Sequence, residues 1–360
     1  MKINYLKHTV SLSDHASIAP GAAVIGRLTA GHHLTLRPFA TLRADGETIT
    51  VGARAFFGER ASVHIVDGIL STTIGDDVTV GRFGLVHACS VGDGCVIGEG
   101  AAVLDGASVG AHAVIAADAI VTPRKSLPGG WLYAGSPAKP VREVARDEVA
   151  RLAASLRDQR PDPLLAAASL PPLGMEPFLP AGAQAEGPFY PWAGRAPTRA
   201  RAYVAPTSVL VGDVALAQDA GVYFGCALVA RDGRIAIGAR TNIQDNSVLE
   251  TTAARGDLVI GEGVTVGHNV RLGAAHVGDD ALIGMASRVG DGVVVERGGC
   301  VAAGAWVEAG TRIAAGWIYA GRPARAFRAV TPAERTQFDR GRDVYVGYGM
   351  AYLTGAASAP

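Results

Sequence analysis

At 360 residues, 49% of them hydrophobic, the chain is long enough for about two domains with sizeable cores. Its 33 basic and 33 acidic residues cancel, and no long block of either sign occurs, which argues against a nucleic-acid or membrane-surface role. No apolar run reaches the roughly 18 residues of a membrane helix, and the start, Met1-Lys2-Ile3-Asn4-Tyr5, lacks a signal-peptide pattern, so a cytoplasmic protein is expected.

Along the first half, aliphatic or aromatic residues recur every six positions: Val51, Phe57, Val63; then Ile74, Val80, Val86; then Val91, Ile97, Val103, Val109, Ile115, Val121. The following residue is usually glycine, and the glycine total of 47 is well above the average share of about 7%. Six matches neither the helical period nor a simple strand. It predicts a short strand plus a corner, three to a coil, with the aliphatic residue inward and a small residue beside it where the coils pass closely. Coils of this kind stack as parallel strands about 4.8 Å apart. Cys89, Cys95, Cys226 and Cys300 form no C-x-x-C pair and are expected to be reduced, mostly buried thiols.

After this repeat, Val141, Val144, Ala145, Val149, Leu152 and Leu156 predict a helix over Val141–Gln159. Residues 161–195, rich in Pro, Ala and Gly, are expected to be a linker. The repeat then returns at a constant offset of 186 residues: Ile260 through Val307 match Ile74 through Val121. Its irregular steps return too. Val63 to Ile74 and Leu249 to Ile260 are both 11 residues, and Val86 to Val91 and Leu272 to Val277 are both 5. The copies end alike, in Trp131-Leu132-Tyr133-Ala134-Gly135 and Trp317-Ile318-Tyr319-Ala320-Gly321, which marks an internal duplication. Thr331-Pro332-Ala333-Glu334 predicts an N-cap, a proline at N1 and a glutamate at N3, opening a C-terminal helix. The expected organisation is a first domain over 1–160, a linker over 161–195 and a second domain over 196–360. The fold class is all-β: two parallel β-helices, each followed by an α-helix.

The small position after the inward residue is histidine twice in the first copy, at His64 and His87. Three units separate them, so they belong on one side of the coil stack, one rung apart. A rung of about 4.8 Å suits two imidazoles converging on one metal at about 2.0–2.1 Å. The plainer alternative is two surface histidines. In the second copy the matching residues are Glu250 and Gly273, but His268 stands where the first copy has Arg82. His268 belongs to a different side of the prism, the side that carries Gln244 and Asp245. There the first copy has only Gly58, Glu59 and Arg82. Each copy keeps the side the other has lost, so division of labour after duplication is one reading and separate decay of two sites is the other. His32, His33, His112 and His276 are expected to be surface residues.

The pieces Ser62-Val63-His64, Leu85-Val86-His87, Thr241-Asn242-Ile243-Gln244-Asp245-Asn246 and Val266-Gly267-His268-Asn269 resemble the pattern of gamma-class carbonic anhydrases. The resemblance covers roughly residues 10–145 and 196–330. It implies the left-handed, hexapeptide-repeat form of the β-helix. It also implies zinc, or Fe2+ or Co2+, bound by three histidines at a seam between subunits of a trimer: His64 and His87 on one wall, His268 on the other. Gln244 and Asp245 match the family's polar residues near the metal and are the candidate catalytic residues. Arg43 and Asp45 match its Arg-x-Asp structural pair, which is shifted or lost around Arg231 and Asp232. At the opposite seam, Arg82 and Glu250 are expected to face one another.

A three-histidine site with an open position lowers the pKa of bound water to near 7. The expected function is therefore a zinc-dependent lyase or hydrolase acting on CO2/bicarbonate or on a carbonyl-containing small metabolite. An acyltransferase or thioesterase using a CoA thioester and a non-catalytic assembly protein are the alternatives. The expected partners are a small-molecule substrate and a domain–domain seam within or between chains of an oligomer, with no nucleic acid and no membrane.

Overall fold

The computed structural model describes residues 1–172, 175–181, 187–355 and the strand Ala357–Ser358. The chain divides into two compact units. Met1–Pro171, with the final strand, forms the first, and Pro172–Gly355 forms the second. Among the described residues no helix is long and apolar enough to cross a membrane.

Each unit is a parallel β-helix. In the first, Val51 pairs with Ile74, Phe57 with Val80 and Val63 with Val86, so one coil is three six-residue units. The short step is absorbed without loss of register, since Ile74 pairs with Val91, Val80 with Ile97 and Val86 with Val103. The inward residues of all three faces form one core in which Val63, Val80, Val86, Ile97 and Val103 are essentially inaccessible. The small position is enforced by close passage of the next coil. A Cβ on Gly52 would stand 2.4 Å from Asp76 Oδ1 and 2.5 Å from the Gly75 carbonyl carbon. Corners place residues at positive φ, among them His33 (60°) and His112 (59°). The second unit repeats the scheme: Ile237 pairs with Ile260, Ile243 with Val266 and Leu249 with Leu272 around its own core.

Both coil stacks close with an antiparallel hairpin. Trp131–Ala134 pairs with Lys139–Glu143, and Trp317–Gly321 with Ala324–Ala329. This corrects the helix expected from Val141. Residues 139–143 are a strand with Val141 exposed, and helix α1 spans only Arg146–Arg157. Pairing of Trp131 with Glu143 takes that backbone, which leaves Val149, Leu152 and Leu156 to pack on Val96, Val114 and Leu132. Part of the expected linker packs as well: Leu165 is buried in the α1 cluster, and Phe189–Tyr190 pairs with Val209–Leu216. The expectation for 173–174 and 182–186 falls outside the described residues. Helix α2, Pro332–Leu353, begins with the expected capping box between Thr331 and Glu334. The four cysteines are buried, and none of them is in a disulfide among the described residues.

Candidate metal centre

In the first unit, parallel pairing of Ser62–His64 with Leu85–His87 sets His64 directly beside His87. Both are buried, at 2% and 6% exposure. His64 Nδ1 and His87 Nε2 are 3.3 Å apart. The other nitrogen of each ring meets a carboxylate. His64 Nε2 lies 3.1 Å from Asp45 Oδ1, and His87 Nδ1 lies 2.6 Å from Asp105 Oδ1. An ionised carboxylate only accepts, so each outer nitrogen carries the proton and each inner nitrogen presents a lone pair. Two lone pairs facing each other are reconciled by a proton or a metal ion between them. The 3.3 Å spacing is within hydrogen-bond reach and also suits the second case, since two ligand nitrogens at about 2.0–2.1 Å from a tetrahedral ion lie about 3.3 Å apart. Asp45 is itself clamped by a fully buried Arg43. Burial, and then the Asp105 charge, pushes the neighbouring Cys89 thiol up, so it stays protonated.

In the second unit, His268 is fully buried. Its Nδ1 lies 3.1 Å from Asp245 Oδ2 and its Nε2 lies 3.1 Å from the Tyr345 hydroxyl. Asp245 is held by the Phe224 backbone N–H, which donates to Oδ1 at 3.0 Å. Gln244 donates through Nε2 to Asn242 Oδ1 at 3.1 Å. Tyr345 comes from α2, and its carbonyl accepts a hydrogen bond from the Tyr223 hydroxyl.

The places without histidines have their own chemistry. Where the first copy sets Asp45 against His64, the second sets Arg231 against Glu250 at 3.6 Å, a pair of reversed sign. Where the first has His87 and Asp105, the second has Gly273 and Asp291, and Arg255 holds Asp291 at 2.8 Å. On the other side of the first copy, Arg82 lies 3.8 Å from Glu99 and donates to the Pro171 carbonyl at 3.3 Å. Arg82 and Glu250, expected to face one another, have these contacts within their own units. Burial raises the Glu99 pKa above the ordinary carboxylate range, although Ala167 N–H and Arg82 oppose the shift.

Two residues of this chemistry escaped the sequence reading. Asp105 lies in a turn outside the inward register, but it is one coil beyond His87, and Asp291 repeats it 186 residues later. Tyr345 belongs to the helix, where Tyr345, Tyr348 and Tyr352 recur at helical spacing.

Comparison with known proteins agrees with this architecture. A family model for the hexapeptide repeat of succinyl-transferase matches residues 48–81 and 89–123. A carbonic anhydrase of Geobacillus kaustophilus is 41% identical over 164 residues, 45% of this chain and 90% of that protein. Gamma carbonic anhydrase 3, mitochondrial, of Arabidopsis thaliana is 48% identical over 158 residues, 42% of this chain and 61% of that protein. Each alignment is about one copy long. Among solved structures, a candidate acetyltransferase from Desulfovibrio desulfuricans G20 superposes with a TM-score of 0.59 over 98% of this chain and 82% of its own. At 14% identity it carries the fold alone. With nine-tenths of a carbonic anhydrase matched at this identity, on a repeat that places histidines one rung apart, the chain belongs to the gamma carbonic anhydrase family of hexapeptide-repeat proteins.

Proposed function

We propose that the chain is a metal-dependent lyase or hydrolase of the gamma carbonic anhydrase type, using one divalent ion per chain held by His64, His87 and His268. The observation that carries this reading is the 3.3 Å separation of His64 Nδ1 and His87 Nε2, each ring backed by its own carboxylate. A carboxylate behind a ligating imidazole fixes its tautomer and raises its basicity. When bound, the ion lowers the pKa of water and polarises a carbonyl. The residues of this chain supply the rest. Arg43 holds Asp45, Asp45 orients His64, and Asp245 lies beside His268 Nδ1 while Tyr345 occupies its far nitrogen. Ligation through that far nitrogen requires the Tyr345 hydroxyl to turn aside. The proposed substrate is CO2/bicarbonate or a small carbonyl-containing metabolite. Zinc, Fe2+ and Co2+ all suit the imidazole set.

Metal analysis of protein prepared without chelators tests the proposal. About one ion per chain is expected, and His64→Ala, His87→Ala and His268→Ala should each remove it. Absence of metal from the native protein, or retention in all three variants, overturns it. Mixing His64→Ala/His87→Ala chains with His268→Ala chains decides where the ligands meet. Metal uptake recovers on mixing only if they are contributed by two chains.

A further inference from the structure

We infer that Asp105 is a positioning residue that sets the tautomer of His87 and thereby directs Nε2 to the ion; this rests on the metal reading above. Asp105 Oδ1 lies 2.6 Å from His87 Nδ1, and the Asp105 side chain is 31% exposed while that of His87 is 8% exposed. A buried imidazole with one carboxylate partner has its proton placed by that partner. The two carboxylates act in opposite senses. Asp45 meets Nε2 of His64, freeing Nδ1, whereas Asp105 meets Nδ1 of His87, freeing Nε2. The two nitrogens thus freed are the ones 3.3 Å apart. Were His87 protonated on Nε2 instead, a hydrogen rather than a lone pair would point into that gap.

The second copy supplies an internal contrast. Asp291 occupies the place of Asp105, but with glycine at position 273 it has no imidazole to orient, and Arg255 takes both of its oxygens. The acid therefore does not depend on the histidine for its place in the fold. In the first copy the corresponding oxygen lies against His87 Nδ1.

Two readouts test the assignment on the full chain. The first is the His87 tautomer in metal-free protein, read from long-range proton–nitrogen spectra of histidine-labelled material. Native protein should show Nδ1–H, Asp105→Ala a mixture with Nε2–H, and Asp105→Asn mostly Nδ1–H, because its amide oxygen still accepts. The second is zinc affinity by competition with a chromophoric chelator. Asp105→Ala should weaken binding about 10–100-fold, the usual range for an outer-shell partner, with Asp105→Asn restoring much of the loss. An unchanged tautomer in Asp105→Ala, or affinity within about twofold of native, overturns the assignment. Native protein that takes up no zinc overturns the metal reading and with it the consequence for affinity. The tautomer arm then decides the Asp105 role by itself.

Discussion

Arg255 closes on Asp291 through nitrogen–oxygen contacts of 2.8, 2.9 and 3.0 Å, in the space where the first copy carries a histidine ring. A Cβ added at Gly273 would stand 2.2 Å from Asp291 Oδ1 and 2.9 Å from Arg255 Nη2. The second copy has thus closed its two-histidine side. Gly273→His should cost about 1–3 kcal/mol, the usual range for overpacking, and adding Arg255→Ala should recover part of it. Urea unfolding midpoints of the single and double variants check this. A single variant as stable as native would show that the ion pair yields freely.

Carbon dioxide hydration should be slow even in metal-loaded protein. The first copy lacks the Gln244 and Asp245 side, and the second lacks the His64 and His87 side, so at most one complete ligand set exists per chain. Stopped-flow hydration with a pH indicator measures it. A rate comparable with that of dedicated carbonic anhydrases would contradict this expectation and the idea of a different preferred substrate.

The opening of α2 should be acid-sensitive. Glu334 is held down to about 2 by its hydrogen bonds to Arg328, first, and to the Thr331 backbone N–H. A depressed carboxylate contributes stability that is full above its ordinary value near 4.5 and is lost as pH falls from there toward 2. The group is partly exposed, so its contribution is under about 1 kcal/mol. Glu334→Gln should flatten the stability profile within that window, and Thr331→Ala should cost about 0.5–2 kcal/mol at neutral pH. Equal acid sensitivity of native and Glu334→Gln proteins would rule this out.

Glu99 should behave in the opposite way. Its pKa is raised chiefly by burial, so the native state favours the protonated form, and stability declines as pH rises from the ordinary carboxylate value through the raised one. Glu99→Gln should therefore be neutral or slightly stabilising at pH 7, by less than about 1 kcal/mol. A loss of stability there would mean that the Arg82 contact at 3.8 Å outweighs desolvation.

The repeat was legible because each inward residue reports its own place. The step of 5 between Val86 and Val91 and the step of 11 between Val63 and Ile74 even marked where the coil deviates, and the structure pairs Val91 with Ile74 across them. His64 and His87 were legible for the same reason: both occupy a position that otherwise calls for a small residue. Asp105 was not, since turn residues are free of the inward register and a carboxylate there is ordinary. Tyr345 was out of reach because helical periodicity says which face is apolar but not which rung of a β-helix that face meets. The boundary of α1 was misplaced because Val141 and Val144 suit either a helix or a hairpin. Only the pairing of Trp131 with Glu143 decides between them.

The hairpins that close both coil stacks also bear on polymerisation. A solenoid of identical parallel rungs has no intrinsic length, and its final strand is a template for another of the same direction. Here that strand is met by one running the opposite way, which ends in exposed charge: Lys139, Arg142 and Glu143 in one unit, Arg325 and Arg328 in the other. On that face the reversal acts as a terminator: an incoming copy meets an antiparallel strand where it would need a parallel rung to extend the stack.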